Sequence, residues 1–93
     1  MSTNNGPNFP LGQIVATPNA LAQITQDDIT AALLRHVIGD WGDVEAEDKL
    51  ANDCAVVEGT RILSAYRAAN GTQFWIITEA GRSSTTILLP EDY

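Results

Sequence analysis

Thr60-Arg61-Ile62-Leu63-Ser64-Ala65-Tyr66-Arg67-Ala68-Ala69-Asn70-Gly71-Thr72-Gln73-Phe74-Trp75-Ile76-Ile77-Thr78 is the stretch on which the fold turns. β-Branched and aromatic residues fill both arms, and such side chains suit a pleated surface better than a helix. Between the arms, Asn70-Gly71 is the pair favoured by a type I′ turn, whose two central positions both need positive φ. That turn predicts a hairpin with Tyr66 opposite Trp75 and Ala65 opposite Ile76. With a side-chain period of two, one face then carries Ile62, Tyr66, Trp75 and Ile77, and the other Leu63, Ala65, Phe74 and Ile76. A second break at Glu79-Ala80-Gly81-Arg82-Ser83 precedes another strand-like run, so a three-stranded antiparallel β-meander is expected.

Upstream of Thr60 the apolar period is helical. Thr17-Pro18 pairs an N-cap with proline at the first helical position, predicting a short helix over 18–24, behind a short extended segment at 12–16. Thr25 followed by Asp27 and Asp28 offers a second cap with carboxylates at the positive end of the dipole. Behind it Ile29, Ala32, Leu33, His36 and Val37 share one stripe, and Gly39 stops a helix over 26–38. A third helix over 44–58 is expected to turn Val44, Leu50, Ala51, Cys54 and Val57 inward, with Gly59 as its stop. The predicted architecture is α+β, with two to three N-terminal helices packed on the meander. If helices cover one sheet face, the other needs the N-terminal segment, a second copy or a partner, which makes Tyr66, Trp75 and Ile77 one candidate interface.

Ninety-three residues favour one domain, because halving the chain would leave neither part able to bury enough apolar surface. Residues 1–10 are polar and proline-interrupted and read as a flexible tail in which only Phe9 has a reason to dock; residues 11–93 form the domain. Twelve acidic against five basic side chains give a net charge of −7, which repels nucleic-acid backbones and anionic membranes. A single cysteine, Cys54, makes no internal disulfide, and one histidine with one cysteine completes no zinc site. Neither a spanning segment nor a signal-peptide pattern is visible, and a cytoplasmic setting is expected.

The acids are unevenly spread. Asp40, Asp43, Glu45, Glu47, Asp48, Asp53 and Glu58 fall in one segment relieved only by Lys49. Carboxylates ranged along a helix resemble spaced phosphates and attract a basic groove on another protein. The same acids also serve as the solvated face of an amphipathic helix, with Glu45, Glu47 and Asp48 supporting its dipole. Trp41, between Gly-Asp and Gly-Asp, either plugs the core or anchors a partner.

Catalytic constellations are not in view. His36 lies on the apolar stripe of the second helix, where a lone imidazole is more often packed than catalytic. Ser83, Ser84, Thr85 and Thr86 lack a nucleophile elbow, and adjacent pairs such as Asp27/Asp28 do not converge on a helix. No phosphate-cradling loop, dinucleotide fingerprint or paired metal ligands occur, so no cofactor is expected.

Phe9-Pro10-Leu11-Gly12, Ile14-Val15-Ala16-Thr17-Pro18, Gly39-Asp40-Trp41-Gly42-Asp43, Leu63-Ser64-Ala65-Tyr66, Trp75-Ile76-Ile77-Thr78-Glu79-Ala80, Thr85-Thr86 and Leu88-Leu89-Pro90-Glu91 together resemble a family of small plasmid-related proteins of proteobacteria, carried on plasmids and integrative elements. The resemblance spans nearly the whole chain and implies no catalytic residues. It implies a mobile-element setting, where short acidic proteins overlap with inhibitors of host defence, including anti-CRISPR proteins that offer carboxylates to a basic DNA channel. The expectation is therefore a non-enzymatic inhibitor whose residues 40–58 engage a basic surface of a nucleic-acid-binding complex, such as a CRISPR effector, by DNA mimicry. Such an inhibitor is expected to be a monomer or a weak homodimer. The alternative is an oligomerising or adaptor module in plasmid maintenance, working through the Tyr66/Trp75/Ile77 face.

Overall fold

The computed structural model describes residues 7–93. In chain order the elements are β1 (Gln13–Ala16), α1 (Pro18–Gln23), α2 (Gln26–Val37), α3 (Ala46–Glu58), β2 (Ile62–Arg67), β3 (Gln73–Thr78) and β4 (Ser84–Leu88). Short 3-10 turns at Ala80–Arg82 and Pro90–Asp92 follow β3 and β4. The α+β class holds with three helices, but the sheet is mixed and four-stranded, in the order β1-β4-β3-β2. β2, β3 and β4 form the antiparallel meander, and β1 adds to it parallel to β4, with Gln13 opposite Ser84 and Ala16 opposite Ile87. The expectation of a strict three-stranded meander is corrected by this fourth strand, whose pairing is too distant along the chain for local signals to reveal.

The two helix starts form as their caps dictate. Thr17 accepts from the Ala20 N–H and Thr25 from the Asp28 N–H, each occupying a donor that the first helical turn leaves free. α1 and α2 lie on one sheet face. There Ala20, Ile24, Ile29 and Ala32 meet Tyr66, Ala68, Phe74, Ile76, Ile87 and Leu89 in the main core. A second cluster of Phe9, Trp41, Ala55 and Ile62 joins α3 to the sheet. Phe9 is buried, and the Asn8 N–H donates to the Val37 carbonyl at 2.8 Å. Residues 7–10 of the expected tail are therefore tied to the domain, while 1–6 lie outside the described residues.

The hairpin forms where expected but one residue out of the expected register. Ala65 faces Trp75 and Tyr66 faces Phe74. The Ala68 N–H donates to the Thr72 carbonyl and the Gly71 N–H to the Ala68 carbonyl, so the loop holds three residues rather than two. Gly71 has φ +88°, whereas Asn70 is not among the positive-φ residues, which excludes a type I′ turn and fits a type I turn closed by a left-handed glycine. The slip moves every β3 side chain to the opposite face. Tyr66 thus shares the helix-covered face with Phe74 and Ile76, and Trp75 and Ile77 stand on the other.

α3 also differs from expectation. Its buried residues are Asn52 and Ala55, with Val56 packed beside them. Of the stripe expected to face inward, only Val44 packs on the core, while Leu50 and Val57 are 67% and 87% exposed and Cys54 is exposed. The reason is a hydrogen-bonded anchor. The Asn52 amide donates to the Leu63 carbonyl (2.8 Å) and accepts from the Leu63 N–H (3.3 Å), imitating a strand's peptide group at the outer edge of β2. Two residues further along that edge, the Ala65 N–H donates to the Trp41 carbonyl and the Asp43 N–H to the Ala65 carbonyl. Gly42 lies between them at φ +75°, where a Cβ would overlap the Ala65 carbonyl oxygen.

Candidate partner-binding face

The acidic segment divides into carboxylates used internally and carboxylates left free. Asp40 accepts from Arg35 Nε at 2.7 Å and Nη2 at 3.1 Å, and this hydrogen-bonded pairing holds its carboxyl below the usual range. Asp53 accepts from the Trp41 indole N–H at 2.9 Å. Trp41 itself is buried against Phe9 and His36, which makes it a core plug rather than an accessible anchor. Asp43, Glu45, Glu47, Asp48 and Glu58 are exposed, and among the described residues none of them takes part in an ion pair.

Two of these acids border an apolar stripe. Leu50, Cys54 and Val57 follow the i, i+4, i+7 spacing of one helix face, and α3 turns that face to solvent. Glu47 and Glu58 flank it on one side. On the sheet side, Asp48 and Arg61 line a shallow cleft of about 260 Å³. The apolar spacing alone predicts this stripe in the core. Its outward orientation is decided by Asn52 and Ala55, which carry no hydrophobic signal strong enough to compete with a leucine and a valine.

The second candidate face does not form. Tyr66 is buried beneath the helices, with its hydroxyl donating to the Asp40 carbonyl at 2.7 Å, and burial pushes its pKa up to about 12. Ile77 is buried on the opposite face. Trp75 is half-buried there under the Tyr93 ring, which Arg61 holds by donating to its hydroxyl.

His36 is the centre of a buried polar chain. Its Nδ1 lies 2.6 Å from Ser64 Oγ and its Nε2 2.8 Å from Thr78 Oγ1; Thr78 meets Thr85 at 2.8 Å, and Thr85 donates to the Leu11 carbonyl at 2.7 Å. A carbonyl only accepts, so every proton in the chain is assigned. Thr85 gives its proton to Leu11 and accepts from Thr78, Thr78 accepts from the His36 Nε2–H, and Ser64 donates to the bare Nδ1. Burial, reinforced by the charge on Arg82, pushes the imidazole pKa down to about 4 and keeps it neutral. A serine donating to a neutral imidazole is the pairing found in activated nucleophiles. Here Ser64, His36, Thr78 and Thr85 are all fully enclosed, so no molecule in solution reaches them, and the chain acts as a satisfied structural element.

An open apolar groove of about 420 Å³ runs between Pro7–Leu11 and the end of α2, lined by Phe9, Leu34, Val37 and Ile38 among others. Among the described residues no cluster of histidine, cysteine or carboxylates has metal-binding geometry, and no helix is long and apolar enough to cross a membrane. No protein-family model, curated protein or solved structure matches the chain.

Proposed function

We infer that the protein is a non-enzymatic binding module that engages a basic, nucleic-acid-binding partner through the outward side of α3 and the loop before it. The observation that carries this reading is the composition of that surface: an exposed Leu50/Cys54/Val57 stripe bordered by Glu47 and Glu58, with Asp43, Glu45 and Asp48 also exposed and unpaired in the same segment. Apolar anchors inside a charged rim favour a protein partner over a small ligand. The carboxylates steer the module to a positive groove, and a partner so occupied loses access to DNA. A CRISPR effector is the kind of complex such an inhibitor would block. An adaptor role in plasmid maintenance uses the same apolar stripe without needing the acids.

Competition with DNA for a CRISPR effector complex tests the proposal. Reversing Glu45, Glu47 and Asp48 to lysine is expected to weaken inhibition by about tenfold or more, since each exposed ion pair contributes a fraction of a kcal/mol to about one. Added salt should weaken the wild type in the same direction. Inhibition indifferent to both charge reversal and salt would rule out the mimicry. Loss only on Leu50→Asp/Val57→Asp would favour the adaptor.

A further inference from the structure

The two edges of the sheet are treated differently. At the β2 edge, the outward backbone groups of Leu63 and Ala65 are taken by Asn52 and by Trp41 and Asp43. At the β1 edge, the Gln13 and Thr17 N–H groups donate inward to the Ser83 and Ile87 carbonyls, so the alternate residues Ile14 and Ala16 turn their backbone groups outward. Among the described residues these outward groups have no partner. The four-residue strand Gln-Ile-Val-Ala is short but contains no charge and no proline, two of the usual guards of an exposed edge, and Ile14 and Val15 are 50% and 40% exposed.

Charge decides what kind of partner fits. Every charged side chain of the chain lies after residue 26, so β1 and α1 carry none. Asp92, close to the end of β1, is held by hydrogen bonds from Thr17 Oγ1 and the Asn19 amide. A molecule of net charge −7 repels copies of itself, and a strand whose own side chains are uncharged, with the Asp92 carboxylate confined to its Thr17 end, lowers the electrostatic cost of their approach. A short strand pairing antiparallel with itself is self-complementary about a two-fold axis.

We propose that the β1 edge pairs with the β1 edge of a second copy of this chain, independently of the α3 surface. Outward backbone groups must meet outward groups, and one register engages both outward residues of each strand. Ile14 of each copy lies opposite Ala16 of the other, each pair exchanging both backbone hydrogen bonds, and Val15 faces its own counterpart across the axis in a close, non-hydrogen-bonded pair. Gly12, at φ +66°, leaves the extended region and ends the pairing. The two four-stranded sheets become one continuous sheet, with the two α3 surfaces at its far ends.

Sedimentation velocity over a concentration series, joined to site-specific cross-linking, tests the proposal. The wild type should move from the monomer mass to twice that mass as concentration rises. Ile14→Pro, which removes an outward N–H, should stay monomeric. Val15→Lys, which leaves the backbone intact and sets two ammonium groups face to face, should also stay monomeric if the proline variant fails to fold. In a Cys54→Ser background, Val15→Cys should give a covalent dimer under mild oxidation and Ile14→Cys should not. A wild type that remains monomeric at its solubility limit, a Val15→Lys variant that dimerises like the wild type, or equal cross-linking at both cysteine positions would each overturn it.

Discussion

His36 is enclosed by Phe9, Trp41 and two hydroxyls, and its pKa lies near 4 against an ordinary 6.5. Because the folded value is lowered, the unfolded chain takes up the proton first as pH falls. Stability is therefore undiminished above about pH 6.5 and declines between there and about pH 4, by about 3 kcal/mol in total. Asp40, held low by Arg35, and Asp92, held low by Thr17 and Asn19, have lowered folded values of the acid kind. Their contributions are lost only as pH falls through those values, at the acid end of the histidine window or below it. Urea denaturation at pH 7 and pH 4.5 should show the loss in the wild type and a much flatter profile in His36→Gln. Equal stability of the wild type at both pH values would contradict the enclosed, neutral imidazole. The packing of His36 was legible in its place on the α2 stripe. Its partners Ser64, Thr78 and Thr85 were not, because they come together only once the sheet has formed.

At the scale of elements, α3 is fixed by one amide more than by its apolar stripe. Asn52→Ala leaves the Leu63 N–H and C=O without their partner and should cost about 2 kcal/mol, seen as a lower urea midpoint at unchanged slope. Leu50→Asp/Val57→Asp should change stability by no more than about 0.5 kcal/mol, since both side chains stand in solvent. A large loss from that pair would return the stripe to the core. The caps at Thr17 and Thr25 made α1 and α2 readable because their signals are local. The hairpin was readable in place but not in register, since Asn70-Gly71 suits both a two-residue and a three-residue loop. α3 misled because Ala55 and Asn52 bury little apolar area, and a pattern count favours leucine and valine over them.

For the molecule as a whole, the carboxylates crowded into residues 40–58 repel one another across an exposed surface. Screening by salt should raise the thermal midpoint of the wild type, and Glu45→Gln/Glu47→Gln/Glu58→Gln should be more stable at low salt and less responsive to it. A midpoint that falls with added sodium chloride would argue against a strained acidic surface. The fold class was legible from the change of hydrophobic period near Thr60. The fourth strand was not, because Gln13–Ala16 finds its partner only at Ser84–Leu88. The acidic segment was legible as a segment, but composition did not reveal that Asp40 and Asp53 are committed to Arg35 and Trp41.

The ordered proton chain gives His36 a further use. The Leu11 carbonyl sets the direction of every hydroxyl up to the imidazole, so the ring's tautomer is dictated by the segment leading into β1. Nitrogen chemical shifts of a ¹⁵N-labelled histidine should show a pyridine-like Nδ1 and a pyrrole-like Nε2. Undocking of Leu11 would free Thr85 to turn and the two nitrogens to exchange character. A single side chain at the centre of the protein thus works as a built-in spectroscopic gauge of whether the N-terminal segment is seated.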